Sequence, residues 1–476
     1  MSHRTAAGDM VAPVDCRDVG PTAPLSSSAA EPVAAPRVPL MPTLPVPAVD
    51  VGTLLRRVEG TAPVEAVSAA AEALTEMVGA REVTFLIADF SGRAVVRLTT
   101  SAAGATGART QAGAGAETLP LTDTVYERVL RSQQVEVEAL DHGARMIVPV
   151  TNRGDAIGLL DLILPASPAP RLIADVAAAA HALAYVVIAA RRYTDVFEWG
   201  QRTTPFSLAA EIQRRLLPAA YTCEAGQFTL AGWLEPAASV GGDTFDYTLN
   251  RDSLHITITD AVGHEVDAAL LATLFVGSLR NARRKGLDLG AQARYANDAL
   301  AEHASEGKFV TGQLLRVDLP SRTAAIVNAG HPFPLRLRAG RVEEIGLGIE
   351  PPFGLLPGRP FRLQPFPLEP GDRIVFLTDG MEERNAATLD VAAALAATAD
   401  LHPREVVHAL GAAVLDATGG NLRDDATMVC LDWYGGPGRR FQSEHGAVAG
   451  LASSTGAPLV DAPGRGRRRS TPASSC

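Results

Sequence analysis

The strongest constraint on this chain is a set of aspartates that lie far apart in the sequence, each next to an apolar, strand-like run. They are Asp243 in Val240-Gly241-Gly242-Asp243, Asp260 in Thr259-Asp260-Ala261-Val262-Gly263-His264, Asp379 in Thr378-Asp379-Gly380, and Asp424 in Arg423-Asp424-Asp425-Ala426-Thr427. Carboxylates packed within a few ångströms of one another repel, so a fold that gathers several of them usually does so around divalent cations. An all-oxygen donor set favours Mg²⁺ or Mn²⁺ over zinc. Leu254–Thr259 alternates apolar and polar residues and leads into Asp260, whereas Ile374–Leu377 is continuously apolar and leads into Asp379. Both patterns predict strands, and strand ends are rigid mounts for ligands. The glycines beside the acids, Gly241, Gly242, Gly263 and Gly380, allow sharp turns and close backbone approach.

At 476 residues the chain predicts two domains with tails. A formal net charge of −10 argues against a nucleic-acid partner. The basic run Arg465, Arg467, Arg468 and Arg469 lies in a Gly/Pro/Ser-rich end and reads as solvated. There are four cysteines and no CxxC, which suggests neither a zinc site nor a disulfide framework and fits a reducing compartment. The N-terminus lacks a signal-peptide pattern. The apolar stretch Ile173 to Ala190 contains Asp175 and His181 and reads as a buried helix, so no membrane span is expected. The expectation is a cytoplasmic protein.

The Pro/Ala-rich segment 1–48 and the segment 435–476 are expected to be disordered tails. Between them, 51–200 shows an α+β order: a helix Val64–Val78, strands Glu82–Asp89 and Ala94–Thr99, and a Gly/Ala-rich loop over 101–116. A helix Asp123–Ser132, a hairpin Met146–Thr151/Ala156–Leu164 and one long helix Arg171–Trp199 follow. This order resembles a GAF-type sensor domain, at the level of pattern. A linker over 201–223 contains a helix, Pro205–Leu217, with Leu208, Ile212, Leu216 and Leu217 on its apolar side, read as a switch between the halves. From 224 to 434, eight strands joined mainly by short turns and four helices predict antiparallel sheets.

The five motifs Val240–Asp243, Asp260–His264, Asn328-Ala329-Gly330-His331-Pro332, Leu377–Glu383 and Arg423–Thr427 together resemble the metal-dependent type 2C protein serine/threonine phosphatases, in the branch of the bacterial sporulation stage-II E phosphatases. The resemblance implies an α-β-β-α sandwich with two Mn²⁺ or Mg²⁺ ions at one edge. By motif position, Asp260 would bridge both ions. Asp243 would hold one ion together with the Ala261 carbonyl, and Asp379 and Asp424 would hold the other, with Asp425 behind Asp424 as the alternative in register. His264 would orient water or donate a proton, or only brace its loop. His331 reads as loop architecture, and Thr378 and Glu382 as supports. Where the family has Gly-His-Gly, this chain has Gly263-His264-Glu265, and Asp267 adds a further acid.

The implied function is hydrolysis of phosphoserine or phosphothreonine on a protein, with a phosphorylated anti-sigma-factor antagonist as the implied substrate and a small-molecule or protein signal acting at the sensor. The alternative is a non-catalytic module of the same fold, to which Glu265 and Asp267 point. A nucleotide cyclase would leave the Asn-Ala-Gly-His and Asp-Asp-Ala-Thr motifs unexplained. A homodimer formed through the long helices is left open.

Overall fold

The computed structural model describes residues 49–104, 109–110, 116–203, 206–236, 241–382, 389–420, 422–436, 443 and 445–452. All of them fall within one compact unit, Pro47–Cys476. The expected N-terminal tail, most of the expected C-terminal one, most of the 101–116 loop, Val240 and Glu383 lie outside the described residues.

Among the described residues the strands form three antiparallel sheets. The five-stranded sheet runs Asp243–Leu249, Ser253–Ala261, Val310–Asp318, Thr323–Ala329, Gln364–Pro365. The six-stranded sheet runs Arg341–Glu344, Leu335–Arg338, Asp372–Leu377, Ala426–Trp433, Phe228–Glu235, Thr222–Glu224. These two sheets pack face to face, and the side-chain period of a strand explains how. Ile374 and Phe376 point into the layer between the sheets, with Leu230, Phe245, Ile256, Ile258, Val429 and Leu431. Val375 and Leu377 point the other way, into a second core under the helices Val391–Ala397 and Pro403–Thr418. A strand buried on both faces must be apolar at every position, which is why Ile374–Leu377 shows no alternation. The outer face of the five-stranded sheet is covered in the same way, as Leu271, Phe275 and Leu279 of helix Glu265–Arg284 and Ala293 and Leu300 of helix Leu289–His303 pack on Leu314 and Val327. Each large apolar side chain so buried contributes roughly 1.5–3 kcal/mol. The layers are therefore α-β-β-α.

The third sheet belongs to the N-terminal half. Strand Glu82–Ala88 is flanked by Ala94–Ala102 on one side and by Asp155–Leu164, Gly143–Asn152 and Glu136–Leu140 on the other. The Asn152–Asp155 turn closes the hairpin where the sequence predicts it. Helices Ala66–Val78 and Pro170–Ala190 cover one face. The second of these is long and apolar enough to cross a membrane, but its Val176, Ala180, Leu183 and Val187 lie in the sheet's core. Strand Glu136–Leu140 escapes a reading of the sequence because it is a short edge strand whose apolar residues Val137, Ala139 and Leu140 are the exposed ones.

Three expectations are corrected. The long helix Arg171–Trp199 is two helices, Pro170–Ala190 and Val196–Gly200. The Thr194 hydroxyl accepts from Val196 N–H at the start of the second, and the break lets Phe197 enter the core. The linker helix is Leu208–Leu216, started by the Ser207 side chain, which accepts from Ala210 N–H. Its buried residues are Ala209, Ala210, Gln213 and Leu216, while Leu208 is 66% exposed. Finally, the segment 445–451 is ordered against the rest of the fold. Gly446 O accepts from Gly154 N–H, Val448 N–H donates to Glu224, and Ala447 is buried.

The two halves touch through polar contacts. Arg404, on helix Pro403–Thr418, donates to Gly154 O at 2.6 Å and Leu130 O at 2.9 Å, both in the N-terminal half. Its neighbour Glu405 takes the Arg404 guanidinium at 2.9 Å and lies 3.7 Å from Arg131. Glu224 N–H donates to Arg153 O.

Candidate metal centre

Asp243 opens one strand and Asp260 nearly closes the next, and the antiparallel register places them directly opposite each other. Asp379 follows strand Asp372–Leu377 by one intervening residue, and Asp424 precedes strand Ala426–Trp433 in the same way. These strands are also register partners, with Leu377 opposite Met428. Two hairpin-like pairs from different sheets thus deliver their acids to one edge of the sandwich. Thr378 Oγ1 donates to Asp243 Oδ2 at 2.7 Å and accepts from Thr427 N–H at 3.0 Å. Asp243 N–H points at Asp425 Oδ2 across 3.3 Å. These bonds tie the two sheets together at the acids.

The electrostatics report the same convergence. Burial, then Asp260 and Asp425, holds the Asp243 carboxyl well above the usual carboxylate range. The Asp260 carboxyl is pushed up to about 7 by burial first and then by Asp379, Asp424 and Asp425. Two glycines permit the crowding. A Cβ on Gly242 would stand 2.4 Å from Ala261 O and 3.2 Å from Asp260 Oδ1, and one on Gly380 would stand 2.0 Å from Asp425 O.

Asp424 and Asp425 divide their roles by burial. Asp425 is 1% exposed, and its Oδ2 accepts from Gln213 Nε2 at 2.6 Å, so it faces the protein. Asp424 is half-buried and Asp379 exposed, so both face the open side of the cluster. Gln213 is a site residue that the sequence reading misses. It is almost fully buried, and its Nε2 also donates to Asp243 O at 2.7 Å. The signal available was a lone amide among apolar positions of a short helix.

His264 is exposed at the N-cap of helix Glu265–Arg284, caps nothing with its side chain, and makes no hydrogen bond to the acids. Glu265 adopts a left-handed φ of 55°, and Asp267 is exposed in the same first turn. His331 is buried. Its N–H donates to Asn328 Oδ1, its carbonyl accepts from Asn328 Nδ2, and burial pushes its imidazole down to about 3. It is neutral and holds the loop. The backbone of Glu382 closes a short 3-10 turn beginning at Asp379.

The residues fit divalent cations by donor type. Carboxylate oxygens of Asp243 and Asp260 face each other across the register, and the oxygens of Ala261 and Asp260 meet over the bare Cα of Gly242. The sphere is open, however. Among the described residues no three acidic, cysteine or histidine side chains are drawn closely enough together to ligate one ion. The acids share a field at Asp260, to which the exposed Asp379 and half-buried Asp424 both contribute.

Residues 250–434 match the family model of stage II sporulation protein E (SpoIIE). The matched span contains Asp260, Asp379, Asp424 and Asp425; Gln213 and Asp243 precede it. Protein IcfG of Synechocystis sp. is 26% identical over 206 residues, which are 37% of this chain and 32% of that protein, so the chain spans about a third of the relative's length. Among solved structures, the RsbU and RsbW domains of Rv1364c from Mycobacterium tuberculosis are 24% identical, covering 45% of this chain and 63% of that one, with a TM-score of 0.40. The SiaA-PP2C domain of Pseudomonas aeruginosa is 22% identical, covering 47% and 93%, with a TM-score of 0.39.

Proposed function

We propose that this chain is a phosphoprotein phosphatase acting on phosphoserine or phosphothreonine, with its active site at the acid cluster. The observation that supports this reading is Asp243 facing Asp260 across the strand register, with Asp260 also in the field of Asp379 and Asp424. Two Mn²⁺ or Mg²⁺ ions held there would make water nucleophilic at neutral pH and offset charge on the phosphoryl oxygens. Asp260 would lie between them, with Asp243 and Ala261 O on one side and Asp379 and Asp424 on the other. Thr378 fixes the Asp243 carboxylate, and Gln213 fixes Asp425 and the Asp243 carbonyl, so the inner half of the cluster is pre-oriented. The exposed Asp379 leaves the approach open to a substrate side chain. The buried thiols of Cys223, pushed up to about 11, and Cys430, pushed higher still, are poor nucleophiles at neutral pH. His264 is proposed to orient water from its exposed position.

The proposed substrate class is a phosphorylated anti-sigma-factor antagonist, on the strength of the motif resemblance. The proposed division is a GAF-like sensor over 51–200, a switch over 201–223 and the phosphatase over 224–434. Helix Leu208–Leu216 supports the switch, because Gln213 touches the acids while Arg214 stacks on Phe90 of the N-terminal half. The test is Mn²⁺-dependent phosphate release from a phosphoserine peptide by the full chain, together with a Mn²⁺-induced shift in thermal unfolding. Neither effect in pure, folded protein would overturn the reading.

A second reading, a non-catalytic module of this fold, is favoured by the open ligation sphere. It is distinguished by calorimetric titration with Mn²⁺, since a scaffold need take up no ion.

A further inference from the structure

A cavity of about 360 Å³ lies between the two halves, far from the acid cluster in role and chemistry. Its walls come from both. The turn Asp89–Gly92, Leu130, Asp155 and Arg191 belong to the N-terminal half, Arg214 and Tyr221 to the linker, and Trp233, Arg404 and His408 to the sandwich. The exposed residues Arg93, Ala219, Ala412 and Asp416 stand at its mouth.

The polar groups lining it are unevenly satisfied. The carboxylate acceptors are in use, while Gln201 Oε1 is buried without a partner. Asp89 takes hydrogen bonds from Ser91, Thr203 and the backbone of Arg93 and Ala94. Asp155 accepts from Thr222 N–H, and Glu405 is paired with Arg404. The donors are not. Nε and Nη2 of Arg191 and Nε of Arg214 are buried without a hydrogen-bond partner. Arg214 also bonds Tyr221 and stacks on Phe90. Burial pushes both guanidinium groups down, opposed by Asp155 and Glu198 at Arg191 and by Tyr221 and Glu198 at Arg214. Two half-buried cations beside one another keep buried N–H groups to spare despite the fields of Asp155 and Glu198, and an anion bonded to those N–H groups would satisfy them. Guanidinium forks match carboxylate geometry, and the Phe90, Tyr221 and Trp233 rings suit a flat apolar body.

We propose that this cavity is a binding site for a small aromatic carboxylate, its carboxylate taken by Arg191 and Arg214 and its ring held among Phe90, Tyr221 and Trp233. The site does not depend on the phosphatase reading, because it shares no residue with the acid cluster. The test is isothermal titration of the full chain with benzoate in EDTA, which keeps the acid cluster metal-free. Saturable 1:1 binding is expected at millimolar benzoate or below. Arg191→Gln and Arg214→Gln should each weaken it by at least about tenfold, the loss of a charge-assisted contact. Ala412→Trp, a change at an exposed mouth position, should block entry while leaving the fold intact, and thermal unfolding verifies that each variant is folded. Arg341→Gln, on an exposed edge strand, serves as the control and should bind as the wild type does. Absence of saturable binding to the wild type, or binding undiminished in folded Arg191→Gln and Ala412→Trp, overturns the proposal.

Discussion

The acid cluster and the cavity between the halves are both polar, both partly buried, and unbalanced in opposite directions. At the cluster, oxygens outnumber the protons offered to them: Asp243 and Asp260 are pushed up by burial and by other carboxyl groups. At the cavity, most of the unsatisfied groups are guanidinium N–H donors, joined by Gln201 Oε1 and His408 Nδ1. A protein that folds alone tends to pair its buried charges, because leaving one unpaired costs more than pairing it returns. An imbalance that persists in the folded chain therefore points to what is missing, a cation in one place and an anion in the other. The two sites also differ in how they are built. The cluster is mounted on strand ends held by register, whereas the cavity exists only because two separately cored halves meet.

Asp260→Asn is the change expected to do most damage to this contrast. It should remove Mn²⁺-dependent turnover of a phosphoserine peptide altogether. For the wild type, Mn²⁺ at a hundred times its Kd should stabilise the fold by about 2.7 kcal/mol, and the variant should lose most of that gain in a thermal unfolding series. In EDTA the sign reverses. A carboxyl whose folded pKa is raised to about 7 from 3.8 costs stability increasingly as pH rises through that window, and the full deficit persists above it. Asparagine carries no such penalty, so the metal-free variant should melt higher than the metal-free wild type at pH 8 and no higher at pH 3. A metal-free variant that melts lower at pH 8 would mean the acids do not crowd one another.

Arg404→Met comes next and acts on the join between the halves. It strips the donor from Gly154 O and Leu130 O and the nearest cation from Glu405. Each orphaned buried group should cost about 1–3 kcal/mol, read by denaturant unfolding. If the contacts between the halves carry little energy, the transition will barely move, and the cavity would then be a transient gap.

Gln213→Leu keeps the helix and its volume but removes the amide shared by Asp425 and the Asp243 carbonyl. Loss of a supporting partner of this kind typically costs about 10–100-fold in metal affinity or activity. Mn²⁺ titration and phosphopeptide turnover should fall together, and unchanged values for both would place the helix outside the site.

Much of this was readable from the sequence. The motif resemblance placed Asp243, Asp260, Asp379 and Asp424 in one site, of which the register sets Asp243 opposite Asp260, and the unbroken apolar run Ile374–Leu377 pointed to a buried strand, which has a core on each side. What could not be read depends on partners distant in sequence. Gln213 is an ordinary amide until Asp425 is placed 2.6 Å from it. Nothing in the sequence singles out Arg191 and Arg214, whose side-chain nitrogens are buried only in the folded chain. The stop at Ala190 was invisible for a similar reason, because alanine and arginine both favour helix and only the burial of Phe197 demands the break.

Leu208 offers the smallest and most discriminating change on the linker helix. Periodicity alone puts it on one side with Ile212 and Leu216, which makes it a buried anchor. The structure rotates the helix so that Ala209, Ala210 and Gln213 face inward and Leu208 is 66% exposed. The small residues are the reason: Ala209 lies against Gly241, where a Cβ would come within 2.8 Å of the alanine's own, so the chain before Asp243 can pass close beneath the helix. Leu208→Ser should therefore shift stability by less than about 0.5 kcal/mol, as surface changes usually do. It should also leave Mn²⁺ affinity unchanged, because Gln213 still points at the acids. A destabilisation of several times that size would restore the leucine side as the buried one and turn Gln213 away from Asp425.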